Sequence, residues 1–165
     1  MTDRAFASWV KPIAEQLRES RVQIADVARA APPDAWKKPS PNEGWTCKDL
    51  LAHLATGDWV LQTVLKAVTS DTPVNIGEVG DLDFISEGNA QRLKERAGCS
   101  PEELIEEVEA ERMATQELLS RLTEADESRS QEDAPIKLGD YLRGFPGHDR
   151  HHLEELRKGL EENAR

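Results

Sequence analysis

The amino-acid sequence predicts an all-α protein, a four-helix bundle with one short additional helix. Three observations predict it. Apolar residues recur at helical spacing almost throughout, which places them on one face of a helix with about 3.6 residues per turn. No segment shows the strict apolar–polar alternation of a half-buried strand. The chain has no internal repeat, and its four long amphipathic segments can bury their apolar stripes only against one another. Its 165 residues suit one domain with its own core, spanning residues 1–165.

The first helix carries Ile13, Leu17, Ile24, Val27 and Ala31 along one side. Pro12 belongs in its first turn, where a missing amide hydrogen does no harm. Any helical structure around Phe6 and Trp9 is therefore kinked away or separate. Pro32-Pro33 ends the helix, because a residue before proline avoids helical backbone angles. A proline-rich loop runs to Gly44, with Trp36 as an apolar anchor. Thr46 then reads as an N-cap with Asp49 three residues on, close to a capping box. The second helix continues to about Ser70, with Leu50, Leu54, Leu61, Leu65 and Val68 facing inward. Residues 71–80 hold one proline and two glycines and read as an excursion between helices.

A shorter helix covers roughly Phe84 to Ala97 and stops at Gly98. Ser100-Pro101-Glu102-Glu103 is a strong new start: a cap, a proline at the first position, and acids at the positive end of the helix dipole. That third long helix continues to about Leu122. Residues 124–135 read as a polar, mobile connection. The last helix spans roughly Leu138 to Glu162, with Pro146 bending or interrupting it early. The connections are longer than tight hairpins require, which leaves room for one crossover.

Charge and composition exclude several function classes. The 21 basic and 32 acidic side chains give a net charge of −11, and the basic residues are interleaved with acids, as in Gln91-Arg92-Leu93-Lys94-Glu95-Arg96. Binding to nucleic acid or to an anionic membrane surface needs a basic patch, and none is visible. With 38% apolar and 32% charged residues, no apolar run approaches the ~20 residues of a membrane span. The N-terminus, Met-Thr-Asp-Arg-Ala-Phe, lacks the basic head and apolar core of a signal peptide, so the expected location is cytoplasmic. Cys47 and Cys99 lie far apart, without metal-type or redox-type spacing, and read as small buried apolar groups. The expected partners are small molecules, with pairing through exposed helix faces into a homodimer.

The chain has four histidines, and three fall in His148-Asp149-Arg150-His151-His152 on the last helix. Positions four apart stack one turn above the other, with Cβ atoms about 6 Å apart. Two imidazoles at that spacing can close on one ion at about 2.0–2.1 Å. His148 and His152 have it. They also continue one helical line, Tyr141, Phe145, His148, His152, Leu156, whereas His151 aligns with Gly147, Glu155 and Lys158 on an edge read as solvent-facing. His53 lies near the buried side of the second helix, with Gly57 one turn along leaving space beside its ring. A pocket there would be lined by Trp45, Trp59, Tyr141 and Phe145.

A single inward histidine is more often a hydrogen-bonded core residue than a ligand. Three of them each needing a separate buried partner is the costlier arrangement, and one ion satisfies all three. The expected centre is therefore His53, His148 and His152. Imidazole ligands favour zinc first, with nickel or iron as alternatives, over magnesium or calcium. Three protein ligands leave a coordination position open, as in catalytic zinc sites. Asp58 and Asp149, the nearest acids, are expected to point outward or to bind a nitrogen of a ligand histidine.

Trp36-Lys37-Lys38-Pro39-Ser40 and Gly44-Trp45-Thr46-Cys47-Lys48-Asp49-Leu50-Leu51-Ala52-His53-Leu54 resemble the Trp…Pro-Ser…Gly-Trp-Thr-x-x-Asp-x-x-x-His-Leu signature of the DinB-like superfamily. Phe84 to Leu104, with Asn89-Ala90 and Ser100-Pro101-Glu102-Glu103-Leu104, looks like the branch containing the N-terminal domain of mycothiol-dependent maleylpyruvate isomerases. His148-Asp149-Arg150-His151-His152 is similar to the C-terminal His-Asp-x-x-His motif of general DinB-like proteins. The resemblance covers nearly the whole chain. It implies a DinB-like four-helix bundle with His53, His148 and His152 as the metal triad. In the isomerase branch the middle ligand can be a glutamate, where this chain has His148, and the additional C-terminal domain of those isomerases is expected to be missing.

Relatives of this kind include thiol S-transferases, so the resemblance implies a metal-dependent transferase or isomerase. Its co-substrate would be a low-molecular-weight thiol such as mycothiol or bacillithiol, attacking an electrophile. On that reading Tyr141 and Asn89 orient the substrate, and Trp45, Trp59 and Phe145 line its pocket. A metal-dependent hydrolase and a non-catalytic metal-binding protein are the competing expectations.

Overall fold

The computed structural model describes residues 6–70, 81–129 and 136–162. The excursion expected at 71–80 and the second half of the connection expected at 124–135 lie outside the described residues. The first helix, α1, is Lys11–Ala30, with Pro12 in its first turn. A separate turn at residues 8–10 precedes it, and Ala31 is already extended before Pro32. A short 3-10 turn, Ala35–Lys37, buries Trp36. The following loop folds back on itself through an isolated antiparallel bridge between Pro39 and Thr46. Gly44, at φ 82°, makes the reversal that a side chain would strain. This small loop carries Trp45 to the head of the next helix.

Helix α2, Cys47–Thr56, starts with a full capping box. The Thr46 hydroxyl accepts from the Asp49 amide at 3.1 Å, and the Asp49 carboxylate accepts from the Thr46 amide at 2.9 Å. Since α2 carries His53, the cap supports the site. Thr46→Ala is expected to cost about 1 kcal/mol of unfolding free energy. Urea denaturation reads this directly, and an unchanged midpoint would show the cap to be dispensable.

The long helix expected from Thr46 to Ser70 is broken. Gly57 and Asp58 form a turn, and α3 resumes at Trp59–Thr69. The cause lies on α1. The Leu54 carbonyl, which an unbroken helix would offer to the amide four residues on, accepts from the Arg21 guanidinium, and Asp58 turns inward to pair with the same group. The additional helix, α4, is Leu82–Glu95, capped by Asp81. None of its residues is buried. It packs on α2 and meets Trp59 of α3, whose ring leaves no room for a Cβ at Gly88, lies tilted against Phe84, and sits 3.9 Å beneath the Arg92 guanidinium.

Ser100, Pro101 and Glu103 start α5, Pro101–Leu119, through a second capping box. A 3-10 turn follows at Glu124–Ser128. The last helical region is also divided, into α6, Leu138–Arg143, and α7, Phe145–Glu162. The break falls at Gly144, so Pro146 is the second residue of α7, where its missing amide hydrogen costs nothing.

Four helical rods make the bundle: α1, α2 with α3, α5, and α6 with α7. Helix α1 packs on α5 and α7; α2 packs on α5, α7 and α4; α3 packs on α5. No strand and no helix long and apolar enough to cross a membrane occurs among the described residues. The core has two apolar parts. One gathers Trp9, Leu17, Leu65, Leu119 and Leu142, and the other Ile24, Leu51, Leu104 and Leu156. Every rod passes from one part to the other through a polar residue: Arg21, Asp58, Thr115 or Asp149, all buried. This polar layer positions the site.

Candidate metal centre

His53 projects from the middle of α2, and His148 and His152 project from successive turns of α7. Each ring can offer one nitrogen such that the three atoms lie within 4.8 Å of one another. Ring centroids are 4.6 Å apart for His148–His152, 4.7 Å for His53–His152 and 5.6 Å for His53–His148. Two nitrogens bound to one zinc at about 2.1 Å lie roughly 3.4 Å apart at a tetrahedral angle, so small ring rotations close the cluster.

The chemistry of the donors fits such an ion. His53 is only 5% exposed, yet its ring makes no hydrogen bond to a described residue. Its pKa falls to about 3, chiefly through burial and then through His152, His148 and Arg21. Burial also lowers His152, against the opposing pull of Glu155. Both rings are thus held neutral, the form that binds metal.

His148 departs from the expected inward line. Its side chain is 41% exposed, four residues into the helix that starts afresh at Phe145. It stands 3.6 Å from the Asp149 carboxylate. Gly57 fits beside it, since a Cβ there would lie 3.7 Å from the His148 ring. His151 is 68% exposed and reaches Glu155 at 3.3 Å, which leaves it outside the three-histidine group.

The expected pocket lining divides. Trp45 stands against His53, with ring centroids 5.1 Å apart. Trp59, Tyr141 and Phe145 pack instead on the apolar part around Leu65 and Leu142, and among the described residues none of them pairs rings with a clustered histidine. Asn89 accepts a hydrogen bond from the Trp59 indole at 3.2 Å. The Tyr141 ring meets Phe145 edge-on, and burial pushes its hydroxyl up to about 12, so it stays protonated.

Asp58 corrects an expectation, since it points inward to Arg21 rather than outward; Asp149 also turns inward, and it approaches Nδ1 of His148 as the second expected alternative had it. Arg21 Nη2 donates to Asp58 at 2.6 Å, and Arg21 Nε stands 2.9 Å from Asp149. Burial pushes the Asp58 carboxyl above its usual range, against Arg21. Asp149, despite burial, is held below that range by Arg21 and then His148. Thr115 donates to Asp58 at 2.7 Å, and Gln62 donates to Thr115. Sequence reasoning missed Arg21 and Glu155. Arg21 interrupts the stripe Leu17, Ile24, Ala28 at helical spacing, a legible signal. Glu155, one turn beyond His152, was placed on the solvent edge but lies 2.6 Å from the His152 ring.

Fold and cluster together define a class: an all-helical bundle in which three imidazoles from two rods converge on one point beside a buried ion layer. Comparison with protein families matches residues 17–156, well over half of the chain and inclusive of all three histidines, to the mycothiol maleylpyruvate isomerase N-terminal domain. The chain belongs to that family. No curated protein and no solved structure matches it.

Proposed function

We propose that this protein is a divalent-metal-dependent thiol S-transferase or isomerase, with His53, His148 and His152 as ligands and a mycothiol- or bacillithiol-type thiol as co-substrate. The observation that carries the reading is the convergence of three imidazoles, one of them a buried ring with no hydrogen-bond partner among the described residues. Zinc is the first choice for this donor set, with nickel or iron next. Once bound, the ion would supply a Lewis acid that lowers the pKa of a thiol beside it.

The chain's own residues do the rest. His53, His148 and His152 offer three donors and leave a position open for the thiol. Trp45 covers the His53 side of the cluster, while His148 is the ligand exposed to solvent. Glu155 is engaged by His152 and Asn42, so it is poorly placed as the base a hydrolase would need. Asn89 is engaged by Trp59 and Tyr141 meets Phe145, so neither expected substrate-orienting residue is carried by a contact to the cluster.

Elemental analysis of the purified protein is expected to give about one equivalent of transition metal, and His152→Ala close to none. Transfer of the thiol to a generic electrophile should vanish on chelation and return with zinc. A metal-free wild type sinks the proposal. Turnover that needs no added thiol turns it toward a hydrolase.

A further inference from the structure

We propose that Glu155 is the positioning residue of this centre, holding the His152 proton on Nδ1 so that Nε2 is the atom offered to an ion. The inference rests on the metal reading above and assigns a role to a residue outside the ligand set. His152 Nδ1 lies 2.6 Å from Glu155 Oε2, a short, charge-assisted distance. An ionised carboxylate can only accept, so Nδ1 must be the donor, and in a neutral imidazole the lone pair then sits on Nε2.

Glu155 is itself braced. Asn42 Nδ2 donates to the same Oε2 at 3.1 Å, and His151 Nε2 approaches Oε1 at 3.3 Å. Asn42 belongs to the loop closed by the Pro39–Thr46 bridge, which also carries Trp45 against His53. One carboxylate thus ties α7 to the loop beside the opposite ligand. It fixes the ring orientation as well as the tautomer of His152. Carboxylate partners of ligand histidines act this way generally, and losing one weakens metal binding about 10–100-fold.

The test uses Glu155→Ala and Glu155→Gln in the full chain, with two readouts. Long-range proton–nitrogen NMR of the metal-free protein should show His152 protonated at Nδ1 in the wild type. In E155A it should shift toward Nε2–H, the form a free histidine side chain prefers. Zinc affinity, measured by competition with a chromophoric chelator, should fall about 10–100-fold in E155A. E155Q keeps an acceptor oxygen without the charge, so it should retain the tautomer and recover part of the affinity. An Nε2–H wild type, or a zinc affinity in E155A within twofold of wild type, overturns the proposal. Should E155A fail to fold, full wild-type affinity in E155Q overturns it. A wild type that binds no zinc refutes the proposed function instead, and the NMR tautomer then decides the role of Glu155 alone.

Discussion

Replacing Arg21 by methionine is expected to destabilise the protein by about 3–5 kcal/mol, the cost of leaving buried charge without its counter-ion. The Arg21, Asp58 and Asp149 side chains are 1%, 4% and 2% exposed. Methionine keeps most of the aliphatic stem, so the loss isolates the guanidinium rather than packing volume. Without it two carboxylates face each other in the core, and the Leu54 carbonyl at the end of α2 loses its donor. A domain of this kind has only about 5–15 kcal/mol of stability to lose. Urea unfolding of R21M measures the effect. Adding Asp58→Asn and Asp149→Asn to that variant should restore much of the loss, because both positions then lose their charge and the amide at 58 can still accept from Thr115. A cost below about 1 kcal/mol in R21M would mean that protons, not Arg21, neutralise the layer.

The second large effect is a loss of stability in the metal-free protein as pH falls from 7 to 5. His53 keeps its lone pair down to about pH 3 in the folded state, whereas the unfolded chain protonates it near its ordinary 6.5. Above 6.5 neither state binds this proton. Below 6.5 the unfolded state gains one that the folded state refuses, so stability drops by about 1.4 kcal/mol per pH unit once well below that value. His53 alone should cost about 2 kcal/mol between pH 7 and 5. His152, also lowered, acts with the same sign. Asp149, lowered, adds a loss only below the ordinary carboxylate value, whereas Asp58, raised, opposes the loss above that value. Urea unfolding at pH 7 and 5 in chelator, on wild type and on His53→Leu, separates the contributions. The variant should show a shallower dependence, and equal slopes would mean that His53 takes up its proton in the folded state.

Much of the architecture was legible because helix formation is decided locally. The capping residues Thr46 and Ser100, the prolines at 12 and 101, and the apolar stripes through Leu17, Leu61 and Leu156 each act within a turn or two of chain. The pairing of His148 with His152 was legible for the same reason, since four residues fix their separation. The breaks at Gly57–Asp58 and Gly144 were less so. A helix pattern cannot show that an arginine from another rod takes a carbonyl from the ladder.

The sequence by itself determined the helices, their apolar faces, and which three imidazoles are candidates for one ion. Only the tertiary structure decided that Asp58 and Asp149 turn inward around Arg21, that Trp59 meets α4 while Trp45 alone among the aromatic candidates pairs rings with a clustered histidine, and that Glu155 braces His152. The physical reason is that a buried charge is tolerated only where an opposite charge from a distant segment reaches it; the periodicity can mark Arg21 as inward but not which distant carboxylates meet it.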